Sequence, residues 1–480
     1  MASGLLRPAG QLDAARALEP YAGPWSPRLA AHLLRRAGFG GSADEIARYA
    51  AMRPHEAVET LIRFPDTSAL AGPPDVFDGT QALIEAFRAD KQQRREIFNH
   101  ARKSSRASIV SMQEWWLNRM LSTPAPLQEK MTYFLHGHFT TAAIQKGVWP
   151  NYVYAQNQLY RANALGNLRA LTLAVSKDPA MLLYLDNAES NKAHPNENYA
   201  RELMELFTLG HGNYSEEDVR QSARAFTGWT VNRREGRFVF NRRTHDDGVK
   251  TFLGQTGNFD GTDIVDIIYR QPACSKFWAG KLLDFFVYND AEPELNDALA
   301  ALIRKHDYEI APVMSVLLQS NVFYSPRSYR ALVKSPTEFV VGVHKSFGLA
   351  QIEPRSPQAL RQMGQILFYP PNVAGWPGGE NWITSQTMIA RANFVALMVN
   401  SPLMLRSDLT KLPLNASQAA RALIDAVLQG DAPAESGVQL QAYLNGSGTS
   451  ALGAFSVENY EERARGAAYL AMAMPAYQLA

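Results

Sequence analysis

The sequence predicts a mainly α-helical protein, a multi-helix bundle carrying a small antiparallel β insert around residues 229–253. Three observations predict it: apolar residues recur at three- and four-residue spacing through most of the chain, helix start and stop residues punctuate those runs, and only one short region has strand-like runs. From Ser26 to Phe39, Leu29, Leu33 and Leu34 mark a helix stopped by Gly38 and Gly40, and a second begins after Ser42 with Asp44 and Glu45 in its first turn. Pro65 to Gly79 reads as a loop. Helical spacing returns over Leu83–Ser104, Ile109–Leu121, Leu127–Leu135, Leu159–Val175, Pro179–Tyr184 and Glu216–Phe226. Trp229–Val231, Arg237–Asn241 and Val249–Leu253 are short β-type runs separated by Glu235-Gly236 and Asp247-Gly248 turn signals. Helices resume over Asp263–Tyr269, Cys274–Tyr288, Pro293–Lys305, Ile310–Leu318 and Pro336–Phe347. The chain divides into an N-terminal tail (1–24), a helical unit (25–428) with its insert at 228–261, a flexible Gly/Ser-rich segment (429–457) centred on Asn445-Gly446-Ser447-Gly448, and a C-terminal helix (458–480) docking back on the core.

Composition bounds the function. With 46% hydrophobic and 20% charged residues, the 480-residue chain has the make-up of a globular protein with a large core. Forty-eight basic against 46 acidic residues leave a formal charge of +2, too near balance to argue for a polyanion or an acidic membrane as general partner, and no nucleic acid is expected. The six basic residues of Lys91–Arg106 fall at helical spacing with Glu96, Ile97 and Phe98, the pattern of a solvated face. Cys274 is the single cysteine, so no internal disulfide or cysteine metal cluster forms. No run approaches the roughly eighteen apolar residues of a membrane span, and Arg7, Asp13, Arg16 and Glu19 interrupt the Met1–Tyr21 stretch where a secretory signal would need apolar residues. As written, the chain reads as cytoplasmic. No glycine fingerprint for a phosphate or dinucleotide occurs, so no nucleotide cofactor is expected.

Four segments carry candidate chemistry. His194–Gly210 reads as an amphipathic helix: at about 100° per residue, Tyr199, Ala200, Leu203, Met204, Leu206 and Phe207 share one side and Glu197, Arg201, Glu202 and Glu205 the other. The polar side is either a row of surface ion pairs at i,i+4 or a cavity wall whose carboxylates suit a divalent metal such as Mg²⁺, Ca²⁺ or Mn²⁺. His136-Gly137-His138 can aim two imidazoles at one metal if extended, whereas in a helix the rings diverge and Gly137 is a stop signal. His245-Asp246-Asp247-Gly248-Val249-Lys250 combines proton-transfer groups with an Asp-Gly hairpin signal. Tyr369–Gly379, with Trp376 and the following Trp382, is a Pro/Gly-rich loop able to wall a pocket or plug the core.

Seven blocks in order resemble one bacterial family, domain of unknown function family 1800: His32–Gly40, Phe134–Phe139, Asp178–Met181, Asn196–Gly210, Ala225–Trp229, His245–Lys250 and Pro371–Pro377. The resemblance runs from about His32 to Phe394, with a weaker match beyond. It implies an exported or envelope protein, often accompanied by an alkaline-phosphatase-like partner of domain of unknown function family 1501, and no assigned activity. The family pattern has Trp and Asn where this chain has Leu135 and Gly137. The expectation is therefore a polar site in a helical core. Its candidate metal ligands are His136, His138, Glu197 and Glu205; its candidate catalytic groups are Glu197, Arg201, Glu202, His245, Asp246 and Lys250; its pocket wall is Asn196, Asn198, Asn372, Trp376 and Trp382. Metal-dependent hydrolysis or oxidation is the leading reading, a non-catalytic scaffold for the phosphatase-like partner the alternative, and polysaccharide binding along Trp376 and Trp382 a third.

Overall fold

Local capping explains where the helices begin and end. The structure, a computed structural model, describes residues 14–67, 69, 70, 75–403, 412–446 and 456–480. Its described part is overwhelmingly helical, with two separate two-stranded antiparallel ribbons. Two long periodic runs are each broken by a polar cap. Asp90 accepts the backbone N–H groups of Gln92 and Gln93 at 2.8 and 2.9 Å, so Gly79–Arg88 ends there and a 32-residue helix, Lys91–Ser122, begins. Asn167 does the same for Ala170 at 3.1 Å, dividing the expected Leu159–Val175 helix into Pro150–Ala162 and Leu168–Ser176. Apolar spacing runs through such breaks, and only the cap's hydrogen bonds reveal them.

The β insert also differs in register. Trp229–Asn232 pairs with Arg237–Phe240, Trp229 opposite Phe240, but Lys250–Phe252 pairs with a fourth strand, Gln255–Gly257, that the sequence reading lacked. Its hairpin loop is Leu253-Gly254, both with positive φ (45° and 77°) as a tight two-residue turn demands. Asp247-Gly248 is no hairpin: Gly248 N–H bonds to Asp246 Oδ1 at 2.8 Å, a local side-chain turn.

One buried ion cluster ties three helices together. Glu129, fully buried in Pro126–His138, accepts from Arg119 Nε (2.5 Å), Arg161 Nε and Nη2 (2.6 and 2.9 Å) and Trp116 Nε1 (2.9 Å). With every oxygen engaged, the carboxylate is compensated rather than stranded. Burial pushes its pKa up, but the two guanidinium groups outweigh that and hold it below the ordinary value.

At the N-terminal end, Ala14–Ala17 is helical and Val322 N–H bonds to Ala17 C=O at 2.9 Å, so this part of the tail is bound to the body. Within 429–457, Ala434–Leu444 forms a helix, while Ser447 and Gly448 of the expected flexible point lie outside the described residues. Tyr460–Ala473 packs against Ser385–Val399, Ala416–Leu428 and Ala434–Leu444. No described helix is long and apolar enough to cross a membrane.

Candidate functional site: a tryptophan-walled cleft

The Pro126–His138 helix runs through the His-Gly-His block, so residues two apart point about 200° away from each other. The two rings accordingly serve different neighbours. His136 Nε2 accepts the Phe368 N–H at 3.1 Å, with the ring packed against Trp116, Phe368 and Trp376 (centroids 5.2, 5.3 and 5.6 Å). Phe368 has φ = +65°, a conformation a bulky side chain resists, and its C=O accepts from Ala143 N–H at 2.9 Å. His136 thereby holds the strained residue that launches the Tyr369–Trp376 loop. His138 Nε2 donates to Phe207 C=O at 2.9 Å beside Trp278, 4.4 Å between centroids. Burial pulls both imidazoles down to about 3, so both are neutral at neutral pH; Lys281 adds to the effect at His138.

The acidic helix meets His138 through Phe207 on its apolar side, while its charged side chains lie partly exposed on the other. Glu197–Glu202 is α-helical, but Leu203–Thr208 widens into a π turn, with Leu209 N–H reaching Met204 C=O at 2.8 Å. The uniform 100° spacing therefore fails after Glu202, and Leu206, expected in the core, is only half-buried. Arg201 forks onto Glu216 at 2.8 and 2.7 Å and reaches Glu197 at 3.4 Å. Glu205 takes Tyr214 OH (3.0 Å) and lies 3.3 Å from His211 Nε2. Burial, then Glu205, raises the half-buried Glu202 carboxyl, with Arg201 opposing. Asn196 caps the helix through Asn198 N–H at 3.0 Å, and the Asn198 side chain donates to Leu185 C=O at 3.2 Å, fixing the turn at Asp186 (φ = +59°).

The His245–Lys250 segment is a staple. His245 Nδ1 donates to Thr227 C=O at 2.9 Å, and Arg224 forks onto Asp246 at 2.7 and 3.1 Å. Lys250 Nζ donates to the carbonyls of Asp246 (2.6 Å) and Gly248 (3.0 Å), and burial lowers its pKa. Gly228, φ = +79°, is required here: a Cβ would come within 2.6 Å of Asn241 C=O. The expected four-ligand set of His136, His138, Glu197 and Glu205 is thus not assembled, and among the described residues no three His, Cys, Asp or Glu side chains are grouped to share an ion.

The histidine helix also meets the tryptophan loop. Gly375, φ = +81°, packs so closely on the end of Pro126–His138 that a Cβ would lie 2.7 Å from Gly137 C=O, and Thr140 Oγ1 donates to Val373 C=O. Asn372 Oδ1 accepts Ala374 N–H at 2.9 Å, shaping the loop rather than facing a ligand. Between the loop and the helix opens a cleft of about 570 Å³, walled by Trp376, Trp382, Tyr133 and Phe134 and floored by Gly137 and His138. Lys281 and Asp284, one turn apart on Pro272–Phe286, stand at its rim. Desolvation raises the Asp284 carboxyl, with Lys281 opposing. Deeper in, Gln365 Nε2 donates to Tyr133 OH at 2.7 Å, and Glu338 accepts Ser335 N–H and OH (2.8 and 2.9 Å) and pairs with buried Lys130. Burial pushes Glu338 up, but Lys130 and Ser335 more than offset it, leaving an ionised carboxylate.

A family model described as protein of unknown function (DUF1800) matches residues 32–479. The chain belongs to the DUF1800 family. The match extends past Phe394 to the C-terminal helix of this DUF1800 protein, further than the ordered blocks indicated. No curated protein and no solved structure matches the chain. Sequence reasoning found the tryptophan loop and the histidine helix of the DUF1800 cleft but missed Lys281, Asp284, Glu338 and Gln365. Their only sequence signal was polarity, which ordinary solvated residues share.

Proposed function

We propose that this protein binds carbohydrate in the cleft between Trp376, Trp382 and the end of the Pro126–His138 helix. The observation that carries the reading is the combination of tryptophan walls with amide, ammonium and carboxylate groups in one open groove. Its volume, about 570 Å³, falls in the range of roughly 300–1,000 Å³ typical of ligand sites. Sugar rings pair an apolar face with a hydroxyl-bearing edge; aromatic faces cover the first, and the exposed Lys281, Asp284 and Asn289 of the lining offer both donors and acceptors to the second. A metal-assisted reaction would need ligands other than the His136, His138, Glu197 and Glu205 set. The test is tryptophan fluorescence during titration with hexasaccharides of β-1,4-glucose, β-1,4-N-acetylglucosamine and α-1,4-glucose. A saturable change that disappears in Trp376→Ala supports the reading. No response to any of the three, or an equal response in the variant, overturns it.

A further inference from the structure

Positive charge is buried in surplus behind the cleft. Lys130, Arg36, Lys334, Arg35 and Arg391 are all at most 7% exposed, and Glu338, which belongs to the same group, is already engaged by Lys130 and Ser335. Buried charges ordinarily require a partner. Arg36 reaches the carbonyls of Val287 and Ser328 at 2.8 and 2.7 Å, and Arg391 reaches Lys334 C=O at 2.6 Å and Gln478 Oε1 at 3.1 Å. These are neutral acceptors. They satisfy donors without cancelling charge.

Two of the cations line one small cavity. Arg35 bonds to Gln429 Oε1 at 2.5 Å through Nη1, but its buried Nε and Nη2 have no partner. Lys334 Nζ makes a single bond, to Tyr477 C=O at 2.7 Å, and stands 3.8 Å from the Tyr477 ring centroid. An ammonium carries three donors, so part of its capacity is unused. Arg35, Lys334, Glu338, Gln429 and Tyr477 line a space of about 20 Å³, enough for one particle of water or chloride size, since about 10–15 Å³ suffices for a water; the Glu338 carboxylate in that lining is the one already engaged by Lys130 and Ser335.

We propose that this cavity is a binding site for one small inorganic anion of chloride size, held by Arg35 and Lys334. The anion supplies the missing counter-charge, and the unpartnered guanidinium nitrogens are its donors. Burial, with Arg35, Arg330 and Arg391 nearby, pushes the Lys334 ammonium well below its ordinary pKa. An anion in the cavity opposes that loss of charge. Trp376 and Trp382 do not line this cavity, whereas Glu338 lines both it and the cleft.

The experiment is anomalous diffraction from crystals of the full chain soaked in sodium bromide, with thermal unfolding in chloride compared with gluconate at equal ionic strength. The expected result is a bromide peak within hydrogen-bond reach of Arg35 and Lys334. Alongside it, chloride gives a saturable Tm rise on the order of 1 °C over gluconate, and both signals vanish in Lys334→Met and Arg35→Gln. If either variant fails to fold, the wild-type bromide map still decides. No peak in the cavity together with equal Tm in both salts overturns the proposal.

Discussion

Gly137 is the sharpest probe of the cleft. It lies one residue from the end of the Pro126–His138 helix, its φ is not positive, and a Cβ built there meets nothing within 4 Å. Neither backbone conformation nor packing therefore requires glycine, although glycine inside a helix costs about 0.5–1 kcal/mol relative to alanine. What the missing side chain leaves is open floor in the cleft. Gly137→Ala should stabilise the protein by about 0.5–1 kcal/mol. Thermal melting reads this poorly: at about 2.1 cal/mol/K per residue, a 480-residue chain moves its Tm by only about 1 °C per kcal/mol, so the urea midpoint is the better measurement. Gly137→Leu projects a branched side chain into the same space and should keep the fold while abolishing the saccharide response. A destabilised Gly137→Ala would refute the claim that the position is sterically free. A folded Gly137→Leu with undiminished saccharide binding would refute the claim that the ligand lies on that floor.

Three further outcomes follow from buried titratable groups. Burial holds the Asp178 carboxyl near 7 rather than 3.8; because the folded state keeps a proton the unfolded chain releases, stability falls as pH rises from about 4 to 7, by on the order of 4 kcal/mol at about 1.36 kcal/mol per pH unit. Asp178→Asn keeps an acceptor for Met181 N–H and Gln156 Nε2 and should remove that loss, which urea unfolding at pH 5 and pH 8 measures. His136 and His138 act in the opposite sense: depressed to about 3 when folded but near 6.5 when unfolded, they contribute stability that is present above about pH 6.5 and lost as pH falls towards 3. Their ring proton shifts should stay constant by NMR between pH 5 and 8, and a titration near 6.5 would contradict the packing described. Glu129→Gln leaves two guanidinium groups buried without a counter-charge and should cost about 3–5 kcal/mol in the urea midpoint; a loss under 1 kcal/mol would show that the cluster is not what clamps the three helices.

Helix identity was written locally. Pro179–Tyr184 and Pro293–Lys305 have the ends the sequence indicated, because a proline at the first turn and an apolar stripe specify them without distant help. Asp90 and Asn167 show the limit of that reading: either residue is as ordinary on a solvated helix face as at a cap, and only the folded backbone shows which N–H groups it accepts. The same ambiguity governed the site. The ionic side chains of Glu197, Arg201 and Asp246 looked chemical because they are dense, yet their density reflects short-range pairing to Glu216 and Arg224.

By itself, the sequence determined the helical class, the family membership and the segments with unusual local chemistry, since periodicity, caps and ordered motif blocks are properties of neighbouring residues. Tertiary structure alone decided which segments share a site. His136 and Trp376 are in contact while, among the described residues, no three His, Cys, Asp or Glu side chains are grouped to share an ion, because side-chain meetings across 240 residues depend on helix packing and loop closure, and no local pattern encodes either.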